Sequence, residues 1–113
     1  MVHESLRAAK ELEYEDIGVE VIDLRTLVPW DKNQVIESVK KTGRLVVAHE
    51  TWKRAGWGAE IASVIQEEAF DYLDAPILRV GAKNVPMPFA SPLQDFVTPS
   101  YKDIINAVKK IVR

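Results

Sequence analysis

The sequence predicts an α/β fold with three layers, α/β/α, around a mainly parallel sheet. Three observations predict it. Segments with helical spacing of apolar residues alternate with short strand-like runs, which is how helices come to cover both faces of a parallel sheet. The run Leu45-Val46-Val47-Ala48 is apolar without interruption, as suits a strand covered on both faces. The chain has 113 residues, 47% of them apolar and 28% charged. That is enough for one domain with one core and too little for two.

The first element expected is a helix from Val2 to Glu13, because Val2, Leu6, Ala9 and Leu12 recur at helical spacing with charges on the other faces. Asp16-Ile17-Gly18 ends it. Val19 to Leu24 reads as a short, β-branched strand, and Pro29 closes the segment after it. Asp31 then caps a second helix. Gln34 is placed to complete a capping box, and Trp30 and Val35 to form a hydrophobic staple. That helix runs to about Thr42 and stops at Gly43. Leu45 to Ala48 is the second strand and Thr51 to Gly58 a loop. A third helix covers Ala59 to Phe70, with Ile61, Val64, Ile65 and Ala69 on one face. Asp74-Ala75-Pro76 breaks the chain before a third strand, Ile77 to Val80. Gly81 to Pro99 contains Pro86, Pro88, Pro92 and Pro99 and reads as one long connection. A last helix follows, with Thr98 as cap and Pro99 in its first position. Its apolar stripe is Ile104, Ile105, Val108, Ile111 and Val112. An α/β domain ordinarily opens on a strand, whereas this chain opens on a helix.

Charge and composition exclude several classes. The formal net charge is −2, and cations are dispersed, so no electrostatic field draws the chain to nucleic acid. Lys109 and Lys110 sit at a helix end, where they offset the macrodipole. There is no cysteine, hence no disulfide framework, thiolate catalysis or Cys-based zinc site. No apolar run approaches the roughly 20 residues that cross a bilayer. The opening Met1-Val2-His3-Glu4-Ser5 does not read as a signal peptide. The expectation is a cytoplasmic protein with no membrane partner, or one of a mitochondrial or plastid matrix without its targeting segment.

Few residues suggest chemistry. In open α/β sheets ligands bind beyond the carboxyl ends of the strands, which gathers Asp23, Arg25, His49, Glu50 and Gly81. A histidine beside a carboxylate serves proton transfer or metal binding. However, His49 and Glu50 are neighbours on a strand and point to opposite faces, which favours a hydrogen-bonded histidine at a contact between domains or subunits. Arg54-Ala55-Gly56-Trp57-Gly58-Ala59-Glu60 is a glycine-containing entry to a helix. It matches neither a Walker loop nor the dinucleotide fingerprint, and Glu60 opposes an anion there, so a tight turn is expected. Glu67, Glu68, Asp71 and Asp74 form an acidic run at a helix end, read either as a solvated face or as a docking patch for a basic partner. Trp52, Trp57, Phe89 and Phe96 lie in or near loops, where aromatics fill core or anchor interfaces. No catalytic, cofactor or metal-ligating residue is identified.

Six short segments carry a resemblance. They are Glu20-Val21-Ile22-Asp23-Leu24-Arg25-Thr26-Leu27, Leu45-Val46-Val47-Ala48-His49-Glu50, Gly56-Trp57-Gly58-Ala59-Glu60-Ile61, Phe70-Asp71-Tyr72-Leu73-Asp74-Ala75-Pro76, Arg79-Val80 and Pro86-Met87-Pro88-Phe89. With the closing amphipathic helix they resemble, over essentially the whole chain, one domain of a family of enzymes. It is the C-terminal domain of the beta subunit of thiamine-dependent 2-oxo acid dehydrogenases, the pyruvate, branched-chain and acetoin group. Transketolase shares the domain more loosely.

The resemblance implies oxidative decarboxylation of a 2-oxo acid and acyl transfer to a lipoyl arm by the complete enzyme. Thiamine diphosphate with Mg is its cofactor, and none is expected in this chain, which is expected to be inactive alone. The implied partners are an alpha subunit and a second beta subunit in an α2β2 assembly, and the subunit-binding domain of the acyltransferase. Asp71 and Asp74 match the acidic side of that docking site, and His49, Glu50, Trp57 and Phe89 are interface candidates at strand ends and loops. The competing readings are another transketolase-type enzyme, such as deoxyxylulose phosphate synthase, and a free-standing ligand-binding module. Against the family pattern the chain reads as an N-terminally truncated domain lacking the first two strands. One of these lies, in the family, between the strands that correspond to Val19–Leu24 and Leu45–His49. Without it the flanking strands would stand nearly 10 Å apart with unpaired backbone. Closure, donation of a strand by another chain, or marginal folding is then expected.

Overall fold

The computed structural model of the chain describes residues 1–112. Helix α1 spans Val2–Glu13 as expected and buries Ala8 and Leu12, which stand four residues apart on one face. Helix α2, Lys32–Thr42, stops where its sequence implies and has half of the expected capping box. The Gln34 N–H donates to Asp31 Oδ1 at 3.1 Å, whereas the return bond to the Gln34 side chain is absent among the described residues, and Gly43 takes a left-handed conformation (φ 75°) that ends the helix. Trp30 packs on the cluster that holds Val35, as a staple requires.

Strand β1 is Val46–Trp52 and pairs in parallel with β2, Leu78–Ala82, in the register Val46↔Leu78, Val47↔Arg79 and Ala48↔Val80. Both strands run later than expected, β1 well into the anticipated loop, because a register shift between Ala48 and Trp52 lets Trp52 pair with Ala82. Helix α3, Trp57–Ala69, starts two residues early on Gly56 and runs into a 3-10 turn at Phe70–Tyr72.

The long proline-rich connection is not wholly irregular. It contains helix α4, Ser91–Val97, with Pro92 in its first turn, where a proline costs no hydrogen bond. Helix α5, Tyr101–Ile111, is capped by Ser100 rather than Thr98. Ser100 and Asp103 form a reciprocal capping box, which satisfies two backbone donors at once.

Two apolar clusters define the layers. Ala8 and Leu12 of α1 and Ile104, Ala107 and Val108 of α5 pack with Val80, backed by Val46, Ala48 and Leu78. On the other face Val35 and Val39 of α2 and Ile61, Ile65 and Ala69 of α3 pack against Leu45, Val47 and Ile77. The sheet is thus covered by helices on both sides, in three layers.

The expected strand at Val19–Leu24 does not form. The segment is extended in its packing: Ile17 and Val19 touch the α1–α5 cluster, and Ile22 and Leu24 touch the α2–α3 cluster. That odd–even split is the alternation of a strand lying in the plane of the sheet. Yet from Gly18 to Asp23 no backbone N–H or C=O has a hydrogen-bond partner among the described residues. Its patterning places the segment in the middle layer, but a ladder needs a neighbouring strand, and the segment has not closed onto β1. β1 bears the mark of an open edge, since Val46, Val47 and Ala48 are only half-buried whereas Val80 and Ala82 on β2 are buried.

Candidate functional site

The sequence candidates fall on two surfaces, at opposite ends of the strands. At the carboxyl end of β1, His49 points inward and Glu50 is exposed, so the pair does not converge on one atom. The His49 Nδ1–H donates to the Thr51 carbonyl at 3.1 Å. In the neutral ring this leaves Nε2 as an acceptor, buried and without a partner among the described residues. Three glycines make room for the ring. A Cβ at Gly58 would lie 2.5 Å from His49 Nε2, one at Gly81 2.8 Å from Cε1, and one at Gly56 3.1 Å from Cε1. The Gly56–Gly58 turn read from the sequence therefore has a definite occupant, the His49 imidazole.

Trp57 is half-buried against the α2–α3 cluster and so fills core. Phe89 is the opposite case, fully exposed at 101%. It belongs to a lobe with Val85, Met87, Leu93 and Phe96, all exposed. The Trp52 indole N–H donates to the Val85 carbonyl at 3.0 Å, and the Gln94 amide donates to the Pro88 carbonyl at 2.8 Å, which ties strand end, loop and α4 together. The Lys83 ammonium sits 4.5 Å over the Phe96 ring.

The acidic run lies at the other end. Asp71 is exposed in the 3-10 turn after α3, between the exposed Phe70 (60%) and Tyr72 (47%). Asp74 is more tied down. Its backbone N–H donates to the Gly43 carbonyl at 2.7 Å, its carboxylate approaches the Arg44 guanidinium at 3.9 Å, and Oδ2 occupies the space of a Cβ at Gly43. Glu68 is paired with Lys32 at 2.9 Å. Beside Phe70 and Asp74 runs a shallow groove floored by Ala59, Ala62 and Ser63 of α3 and by Ile77. Sequence reasoning located the acids but missed the groove. Its signal was the small residues at positions 59, 62 and 63, on the face of α3 that the apolar stripe leaves free.

Among the described residues, no three His, Cys, Asp or Glu side chains gather where they could hold a metal ion. Among the described residues, no helix is long and apolar enough to cross a membrane.

The chain is 55% identical to the pyruvate dehydrogenase E1 component subunit beta of Rickettsia bellii, over 95% of this chain and 33% of that protein. It is 44% identical to the subunit of the same name from Bacillus subtilis, over 99% of this chain and 34% of that one. The mitochondrial subunit of Dictyostelium discoideum is 43% identical over 100% of this chain and 32% of its own length. The chain thus spans about a third of the length of the curated relatives it matches. The family described as "Transketolase, C-terminal domain" matches residues 1–104. On that match, and with the parallel sheet between two helical layers, the chain belongs to the transketolase C-terminal domain family.

Proposed function

We propose that the chain serves as the C-terminal assembly and docking domain of the beta subunit of a 2-oxo acid dehydrogenase, of the pyruvate dehydrogenase kind. The observation that carries this reading is identity of 43–55% to proteins named as pyruvate dehydrogenase E1 beta subunits, along nearly the entire chain. On this reading the complete enzyme decarboxylates a 2-oxo acid on thiamine diphosphate with Mg and passes the acyl group to a lipoyl arm. An alpha subunit and a second beta subunit complete an α2β2 assembly, in a bacterial cytoplasm or an organelle matrix. The Gly56–Gly58 turn is filled by the His49 ring, and on this reading the chain supplies no catalytic residue. Its contribution is surface, with His49 shaping the strand-end face from within and Glu50 and Phe89 exposed upon it.

Asp71 and Asp74, beside the α3 groove, are the proposed contact for the basic subunit-binding domain of the acyltransferase. Charge at such a rim acts mainly on association rate and its salt dependence. The test is Asp71→Lys, alone and with Asp74→Lys, in the assembled enzyme, with binding of the isolated subunit-binding domain followed at several ionic strengths. The expected outcome is slower association and a shallower salt slope. Asp71→Lys carries more weight, because Asp74 also anchors Gly43. Unchanged rate and slope in both variants would reduce the acidic run to a solvated face.

A further inference from the structure

We propose, resting on the docking role argued above, that Lys32 and Arg44 are the specificity-determining residues of the acidic surface. Each cancels one carboxylate of the run, Glu68 and Asp74, so that a basic partner is steered to Asp71 and Glu67. The two cations come from the ends of one helix: Lys32 is the first residue of α2, and Arg44 follows the Gly43 that stops it. The Lys32 ammonium donates to Glu68 Oε2 at 2.9 Å, and the Arg44 guanidinium stands 3.9 Å from Asp74 Oδ2. Asp71 and Glu67 are exposed, and neither forms an ion pair among the described residues.

Stability explains neither pair. A lysine at the start of a helix opposes the macrodipole, so α2 gains nothing from Lys32. Its pair with Glu68 is open to water on both sides, and such a pair adds little to folding. Arg44 does have a structural bond, from its Nε to the Ile111 carbonyl at 2.7 Å, at the end of α5. That bond moors the guanidinium without involving Asp74. At 3.9 Å no hydrogen bond joins Arg44 to the carboxylate. Asp74 is fixed by its backbone instead, since its N–H donates to the Gly43 carbonyl at 2.7 Å. Arg44 therefore acts on Asp74 through charge, and Ile111 keeps that charge in place.

Opposite charges this close present little net field to a partner that is still approaching. A partner cation that falls opposite Asp71 or Glu67 meets net negative charge. One that falls opposite Asp74 meets the Arg44 guanidinium as well, and one opposite Glu68 meets Lys32. The surface thus selects by where a partner carries its cations and not only by how many it has. Local repulsion is how an interface refuses a partner of the right net charge and the wrong pattern.

The test uses the assembled enzyme and the isolated subunit-binding domain of the acyltransferase, with association and dissociation followed at several ionic strengths. Lys32→Gln and Arg44→Gln each remove a positive charge and keep an amide donor, whereas Arg44→Lys keeps the charge. Each glutamine variant should associate roughly two- to five-fold faster at low salt, with a steeper salt slope and a smaller change in dissociation. Arg44→Lys should match wild type. Combining Arg44→Gln with Asp71→Asn should bring association back towards the wild-type rate, which a merely structural role for Arg44 would not do. Unchanged or slower association in either assembled glutamine variant overturns the proposal, as does an Arg44→Lys variant that behaves like Arg44→Gln. Failure of the docking role looks different: the wild-type enzyme then does not bind the domain, or Asp71→Lys leaves its rate and slope unchanged. Should Arg44→Gln disturb assembly through the lost Ile111 bond, Lys32→Gln decides alone.

Discussion

β1 and the Ile17–Leu24 segment each send apolar side chains into both helical layers, yet only β1 is hydrogen-bonded as sheet. The difference separates two things that usually come together. Side-chain alternation decides in which layer a segment lies, and that is a local property of its sequence. The ladder is a property of two segments, and it forms only where a neighbour stands one strand spacing away. β1 has β2. Ile17–Leu24 has helices above and below and no strand beside it. It is bracketed instead by Asp16 and Arg25, both left-handed (φ 61° and 59°), and Arg25 is held by paired contacts of 3.2 Å to the Asp23 carboxylate.

If that contrast is right, equal truncations in the two regions should cost unequal amounts. Ile65 is 0% exposed beneath the paired strands, and Ile65→Ala should lose about 2–5 kcal/mol by removing apolar contact and leaving a cavity. Ile22, half-buried in the extended segment, should lose less than half as much on the same change, since water already reaches its surroundings. Urea unfolding midpoints of the two variants measure this. Equal losses would mean that the segment is as firmly packed as β1.

A second substitution sharpens the description of the paired region. Gly58→Ala puts a methyl 2.5 Å from His49 Nε2, and such overpacking costs about 1–3 kcal/mol. Adding His49→Ala to that variant should recover part of the loss, because the ring that the methyl meets is gone. A double variant no better than Gly58→Ala alone would show that the glycine is needed for backbone approach and not for the histidine.

These contrasts also show what was legible in the sequence. Helices α1, α2 and α3 were, because each carries its apolar stripe and α2 carries its own cap and stop. α4 was not, because four prolines in the Gly81–Pro99 connection outweighed a short helix whose proline sits harmlessly in the first turn. Thr98 and Ser100 both suit a cap, and only Ser100 has a carboxylate three residues on to complete the box. Val19–Leu24 was legible as to layer and not as to pairing, for the reason given above. Of the site candidates, Asp71 and Phe89 are exposed, as their places in a turn and a loop imply. Trp57 and His49 turn inward through contacts that no local pattern encodes.

The smallest effect concerns how the extended segment is moored. Glu20 lies 2.7 Å from the Lys41 ammonium and accepts from the Ser38 hydroxyl at 3.2 Å. The hydrogen bond from Lys41, aided by its charge and by Ser38, holds the Glu20 carboxyl below the usual carboxylate range against a smaller desolvation effect. A depressed folded-state pKa means stability that is present above the unfolded value and lost as pH falls through the folded one. Wild type should therefore exceed Glu20→Gln slightly in stability at neutral pH, and the difference should vanish below that lowered range. A gap that widens on acidification would contradict the mooring.

The most direct measurement is amide hydrogen exchange on the free chain at low concentration. The account predicts protection near the global unfolding limit for the β2 amides bonded to β1, Leu78 foremost, and for α3 and α5. It predicts nearly unprotected exchange from Gly18 to Asp23 and at Val46 and Ala48. Comparable protection of Gly18–Asp23 and Leu78 would contradict it, because it would mean that the segment is paired and the sheet has no gap.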